Sequence, residues 1–198
     1  MSLVVITGGA RSGKSAIAAA LAEQRGGDVC VAVFGDDGDE EMAARIARHR
    51  GERPAHWTTL EPDGADLALA EVPEGALLLL DCLGSLVSRV MAAEWDPDAH
   101  GGAYGEADTV PDAYARAVEA RMDALTAALA ARAGDTIVVT NEAGDGVVPA
   151  FALGRLFRDV LGRANRRLVA DADAAWLVIA GRCIDLTAQP RSARWPHD

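Results

Sequence analysis

The sequence predicts an α/β protein, a mostly parallel sheet with helices on both faces. Three observations predict it. Short apolar runs rich in β-branched residues alternate with helix-forming stretches at least five times. The first run, Leu3-Val4-Val5-Ile6-Thr7, leads straight into Gly8-Gly9-Ala10-Arg11-Ser12-Gly13-Lys14-Ser15 and then into alanine-rich Ala16 to Ala22. Later runs end in polar groups, Asp81 and Asn141-Glu142, where such folds place ligand chemistry.

The second observation fixes the fold type further. G-x-x-x-x-G-K-[ST] between a strand and a helix is a phosphate-binding loop, so the fold expected is of the P-loop NTPase type. Glycines let the backbone curl around an anion without Cβ clashes. The curled N–H groups and the helix N-terminus then face phosphate. Lys14 would reach the β- and γ-phosphates, and the Ser15 hydroxyl would ligate Mg²⁺. The plain alternative is a glycine-rich turn that binds nothing, but every fixed position and both flanks favour the loop.

Bulk properties bound the rest. The 198 residues are 50% hydrophobic and 25% charged, which suits one domain spanning 1–198. A strand begins almost at the first residue, so no signal peptide is expected, and no apolar run reaches a membrane span's length. Cys30, Cys82 and Cys183 lie far apart and read as reduced core residues of a cytoplasmic protein. A net charge of −11 argues against nucleic-acid binding, although a local basic cluster could still hold a small anion.

Taken in order, Val29 to Phe34 is the second strand. Asp39 to Arg50 reads as a helix with acids at its front and bases at its back, stopped by Gly51 with Pro54 beyond. His49 shares the face of Met42 and Ile46, among Arg45, Arg48, Arg50 and Arg53. Spacing alone favours a histidine that complements the helix dipole over one that meets a polyphosphate. The helix end also favours the protonated ring, whereas a nucleophile must be neutral. His56 to Pro62 is extended, with His56 at or near the surface, and Asp63 to Val72 is a short helix or loop. Leu77-Leu78-Leu79-Leu80-Asp81 is a buried strand, and its terminal acid could hold Mg²⁺ or its water shell, cap the next helix, or do both.

Leu83 to Ala93 is helical. Glu94 to Pro111, acidic and glycine-rich, is expected to be a mobile surface loop and a candidate lid; its His100 has no partner motif. A long amphipathic helix follows over 112–133, then a strand over Thr136 to Thr140. A helix over 150–170 has Leu153, Phe157, Val160, Leu161 and Leu168 on its apolar face. Its arginines 155, 158, 163, 166 and 167 form a solvated stripe or a basic rim around a nucleotide site. Ala175 to Ala180 is the last clear strand; beyond Arg182 no pattern is strong, and 191–198 is expected to be a disordered tail.

Several segments together carry a resemblance. They are Gly8 to Ser15, Asp39 to Arg50, Arg53-Pro54 with Trp57, Leu80-Asp81-Cys82-Leu83, and Asn141-Glu142 with Gly146-Val147-Val148-Pro149. Arg155-Leu156-Phe157-Arg158-Asp159 with Gly162-Arg163 and Asn165 completes the set. In this order the chain resembles the bifunctional adenosylcobinamide kinase / adenosylcobinamide-phosphate guanylyltransferase family of cobalamin assembly, from the first strand to about Gly181.

The resemblance implies two reactions. ATP or GTP phosphorylates the aminopropanol hydroxyl of adenosylcobinamide. A histidine then takes GMP from GTP, and adenosylcobinamide phosphate takes it in turn to give adenosylcobinamide-GDP. His49 falls at the guanylylated position, which reverses the reading from spacing alone. Nucleotide contacts fall on Gly8, Gly9, Ala10, Arg11, Ser12, Gly13, Lys14 and Ser15, on Val33-Phe34-Gly35, on Arg50-Gly51-Glu52-Arg53, on Glu61 and on Asp81. Val33-Phe34 replaces the family's usual Ala-Thr, so a hydroxyl contact is missing there. Ser15 and Asp81 would hold Mg²⁺, directly or through water. A homo-oligomer, a trimer, is implied as well. The competing readings are a phosphate-loop small-molecule kinase without guanylyl transfer, and a nucleotide-dependent binding or switch protein. Against the latter, the chain has no Asn-Lys-x-Asp guanine motif.

Overall fold

The computed structural model describes residues 1–34, 53–62, 64–100, 102–105 and 109–192. The strands are β1 (Leu3–Gly8), β2 (Val29–Ala32), β3 (Thr58–Leu60), β4 (Leu77–Asp81), β5 (Thr136–Val139), β6 (Ala174–Ile179) and β7 (Arg182–Asp185). The described helices are α1 (Lys14–Arg25), α2 (Leu83–Ala93), the short α3 (Pro97–His100), α4 (Asp112–Ala131) and α5 (Ala152–Asp171). The predicted helix over 39–50 lies outside the described residues.

The strands form one sheet in the order β3-β2-β4-β5-β1-β6-β7. Every pairing is parallel except β6 with β7. The predicted mostly parallel sheet is therefore present, with one antiparallel edge strand added. The chain past Arg182 lacks a sequence pattern because β7 is four residues long and mostly exposed, and takes its register from β6 alone, Val178 opposite Cys183. Cys183 is exposed there, which corrects its assignment to the core; Cys30 is buried and Cys82 half-buried.

Burial on both faces explains the continuous apolar strands. In β4, Leu78 and Leu80 face the larger core beneath α2, α4 and α5, while Leu77 and Leu79 face the smaller one with Ala18 and Ala22 of α1. The alternation is the period of two that a pleated strand imposes. Helix α1 buries alanines, so it lies close to the sheet and brings its N-terminus down onto the carboxyl ends of β1 and β4.

The described part of the segment after α2 is mostly exposed, as expected of a surface loop, but it contains the short α3 and is anchored at one residue. Trp95 is buried, its indole N–H donates to the Gly102 carbonyl at 2.9 Å, and its ring lies 4.9 Å from His100 and 5.0 Å from Tyr114. His100 Nδ1 accepts the Asp96 N–H at 3.0 Å, so it has partners that no motif announced. Tyr114 donates to the Met91 carbonyl, and burial raises its hydroxyl pKa. Glycine and acid content suggested a lid; one large aromatic residue pins the described part of the segment to the core instead.

The opposite end of the sheet is tied by Asp135. It accepts from the Ser2 N–H at 2.9 Å and from Arg25 Nε at 3.0 Å, and the Arg25 bond first of all holds its pKa below the ordinary value. A carboxylate with a lowered folded pKa contributes stability above its unfolded pKa and loses it as pH falls through the folded one. Asp135→Asn should therefore cost about 1 kcal/mol near neutral pH, the pair being solvent-screened. The gap to wild type should close as urea melts are moved into the acid range.

Candidate nucleotide and acceptor cleft

The carboxyl ends of β1, β2, β4 and β5 converge on one cleft of ≈ 300 Å³. The phosphate loop forms one side. Gly8 leaves β1 with φ +153°, and a Cβ there would lie 2.3 Å from the Val178 carbonyl oxygen, so only glycine fits. Gly13, φ +99°, turns the chain into α1. The Gly181 N–H donates to the Ser12 carbonyl at 2.8 Å, so the β6–β7 turn braces the loop from behind.

Lys14 is 7% exposed, and its Nζ donates to the Gly9 carbonyl at 2.7 Å. This holds the ammonium over the curled loop at the start of α1, where a polyphosphate's charge would be met. The Ser15 hydroxyl donates to Asp81 Oδ1 at 3.3 Å. One hydroxyl and one carboxylate are hard oxygen donors and suit Mg²⁺, which takes few protein ligands and completes its shell with phosphate and water. Among the described residues no cluster of three His, Cys, Asp or Glu could hold a metal.

Of the expected nucleotide contacts, Ala10, Lys14, Ser15, Val33, Phe34, Arg53 and Asp81 line the cleft. Gly8, Gly9, Arg11, Ser12 and Gly13 complete the loop beside it, Arg11 with φ +56°. Glu61, directly after β3, is exposed and does not line the cleft. Gly35, His49, Arg50, Gly51 and Glu52 lie outside the described residues. His56 is exposed, while its neighbour Trp57 is buried on the α1 face.

Asn141, expected as a polar group at a strand end, lines the far wall; sequence reasoning missed the rest of that wall, made by Cys82, Gly84, Ser85 and Ser88 at the start of α2 and by Phe157 of α5. Phe157 packs against the larger core, as its place on the apolar face of the helix predicts, and being half-buried it also lines the cleft. Two serines one turn apart directly after Asp81 were the available signal. The arginines of α5 form no basic rim as a group. Arg163 bonds Glu119 at 2.6 Å, Arg167 pairs with Asp123, and Arg155 donates to the carbonyls of Pro149 and Ala150. The stripe mainly fastens α5 to α4 and to the preceding loop.

A buried network holds the end of β5. Asn165 of α5 accepts from the Thr140 hydroxyl at 2.6 Å and donates to the Asn141 carbonyl at 3.0 Å. Glu142 accepts from the Thr7 hydroxyl at 2.5 Å, and its N–H donates to the Gly8 carbonyl at 3.1 Å. Asn165→Leu keeps the volume but strands the Thr140 hydroxyl and the Asn141 carbonyl. It should lower the unfolding free energy by about 2–3 kcal/mol in a denaturant titration.

With the cleft described, its relatives can be placed. The cobinamide kinase / cobinamide phosphate guanyltransferase family matches residues 4–186. The chain belongs to this family. The bifunctional adenosylcobalamin biosynthesis protein CobU of Salmonella typhimurium is 38% identical over 187 residues, covering 90% of this chain and 96% of that protein. The Escherichia coli CobU is 37% identical with the same coverage, and CobP of Pseudomonas aeruginosa 34% identical, covering 94% of this chain and 98% of that protein. Among solved structures, an ATPase from the type III secretion system of pathogenic bacteria superposes with a TM-score of 0.52 at 14% identity. That match covers 89% of this chain and 50% of that chain and bears on the fold alone. As a family member the chain is a nucleotide-using cobinamide kinase and cobinamide phosphate guanylyltransferase of adenosylcobalamin biosynthesis. No described helix is long and apolar enough to cross a membrane.

Proposed function

We propose that one nucleotide cleft, in one domain of residues 1–198, serves both reactions on adenosylcobinamide. The observation that carries this is the meeting of Lys14, Ser15 and Asp81 at the phosphate loop, in a chain whose family match runs through that loop and on past residue 49.

In the kinase step the acceptor hydroxyl oxygen attacks the γ-phosphorus of ATP or GTP. The bond to the β–γ bridging oxygen breaks, the hydroxyl proton leaves, and a nucleoside diphosphate departs. Little covalent chemistry falls to the protein, so its work is positioning and charge neutralisation. Lys14 and the loop N–H groups meet the phosphate oxygens. Ser15 and Asp81 would hold Mg²⁺, which when bound offsets charge on the β- and γ-oxygens. Val33, Phe34 and Arg53 line the same cleft on its β2 side.

In the second step a nitrogen of neutral His49 attacks the α-phosphorus of GTP and pyrophosphate leaves. A phosphate oxygen of adenosylcobinamide phosphate then attacks the same phosphorus; the P–N bond breaks, and His49 is restored. The family resemblance of Asp39 to Arg50 supports this role. We place the protein in the cytoplasm as a homo-oligomer, a trimer by resemblance, for which the exposed apolar side chains of Val147, Val148 and Phe151 offer surface.

GTP labelled at the α-phosphorus tests the reading. The denatured protein should keep a label that is labile to acid and stable to alkali, and adding adenosylcobinamide phosphate before denaturation should discharge it into adenosylcobinamide-GDP. A protein that binds GTP without retaining label would reduce the assignment to kinase or binding protein.

A further inference from the structure

The cleft has two chemically different halves. Lys14, Ser15 and Asp81 mark the phosphate half, on β1 and β4. The wall beyond Asp81 is different: Gly84, Ser85, Ser88, Asn141 and Phe157 carry no charge. It offers two hydroxyls, one primary amide and one aromatic ring.

We infer that this uncharged wall seats the acceptor's amide-linked amino-alcohol arm, with Ser85, Ser88 and Asn141 its hydrogen-bonding partners and Phe157 its apolar floor. The inference rests on the two-reaction reading above. Lys14, Ser15 and Asp81 would hold the reactive end of the triphosphate chain near the end of β4, and an in-line attack needs the acceptor oxygen opposite the leaving group. The cleft continues past Asp81 to Gly84, Ser85 and Ser88 of α2 and to Phe157 of α5, which leaves an acceptor room beside that end.

The chemistry agrees. A neutral arm that carries a secondary amide and a hydroxyl needs donors and acceptors without net charge, and an amide with two hydroxyls supplies both. Ser85 is half-buried and its Oγ lies 3.5 Å from Cys82 Sγ; Ser88, one turn on, is exposed at the mouth. Asn141 is set in place through its backbone, since Asn165 donates to its carbonyl at 3.0 Å, and its side-chain amide is 3.8 Å from Cys82 Sγ. Gly84 keeps the floor open: a Cβ there would lie 3.3 Å from Asn141 Nδ2 and 3.7 Å from Phe157 Cζ.

Gly84→Ala is a sharp test because alanine favours a helix more than glycine does. Its thermal midpoint should stay near wild type, the helix gain offsetting the 3.3 Å approach to the Asn141 amide, while the added methyl crowds that amide. Asn141→Ala removes the amide directly. Each is assayed as full-length protein with adenosylcobinamide and ATP or GTP, and KM is measured for acceptor and triphosphate separately. Both variants should raise the acceptor KM about tenfold, the loss of one good hydrogen bond, with the triphosphate KM unchanged. A rise in the triphosphate KM instead would place the nucleoside on this wall and overturn the assignment. An unchanged acceptor KM would overturn it too. In both cases a wild-type chain that phosphorylates adenosylcobinamide leaves the kinase half of the two-reaction reading standing. A wild-type chain that phosphorylates no adenosylcobinamide at all would remove both.

Discussion

Lys14→Ala should lower the kinase rate by about 10²–10³-fold with little change in the folding midpoint. The size follows from what the lysine does. A phosphoryl group in transfer carries its charge on peripheral oxygens, and the enzyme's contribution is a fixed positive environment for them. Lys14 is 7% exposed and held 2.7 Å from the Gly9 carbonyl, so its ammonium is set in place and largely withdrawn from water. Arginine at this site would keep the charge and still fail, because the planar guanidinium is too large for a place filled by one Nζ. Lys14→Arg should therefore recover little activity. The fold should tolerate the loss, since Lys14 lines an open cleft that water can enter in its place. Measuring both kcat and the melting midpoint separates the two effects. A variant with near wild-type turnover would move phosphate binding away from this loop.

How much of this was legible depends on the range of the interaction. The phosphate loop was fully legible, because its geometry is a local backbone demand: Gly8 and Gly13 take positive φ and Lys14 opens the helix. Asp81 was legible as an acid ending an apolar run. Of the far wall only Asn141 was legible, as a polar residue ending a strand; Ser85 and Phe157 come from α2 and α5, and only packing of those elements brings them to the same cleft. Phe157 sits on the apolar side of its helix in either role, so periodicity could not tell a core residue from a cleft residue. The partnership of Asn165 with Thr140 spans 25 positions and leaves no local trace. The arginine stripe of α5 was legible as a solvated face, but its partners Glu119 and Asp123 belong to α4 and left no local trace. The segment after α2 differs: its average composition was polar, and Trp95 alone decided its packing.

His49→Ala should separate the two activities. Covalent labelling from α-labelled GTP should vanish, and guanylyl transfer should fall by at least about 10⁴-fold, as when a covalent nucleophile is removed. Phosphorylation of adenosylcobinamide should persist, since Lys14, Ser15 and Asp81 are untouched. The reason is chemical. On the proposed reading the kinase step is a direct attack by the acceptor hydroxyl and needs no protein nucleophile, whereas the imidazole of His49 would split guanylyl transfer between two bulky anions into two steps. A His49→Ala protein that still labels would place the nucleophile on another residue; His56 is exposed and His100 is packed between Trp95 and Tyr114, so His56 would be tested next. A variant that loses both activities together while its melting midpoint holds would mean that His49 serves the shared nucleotide site, and the division of labour between the loop and the histidine would fall with it.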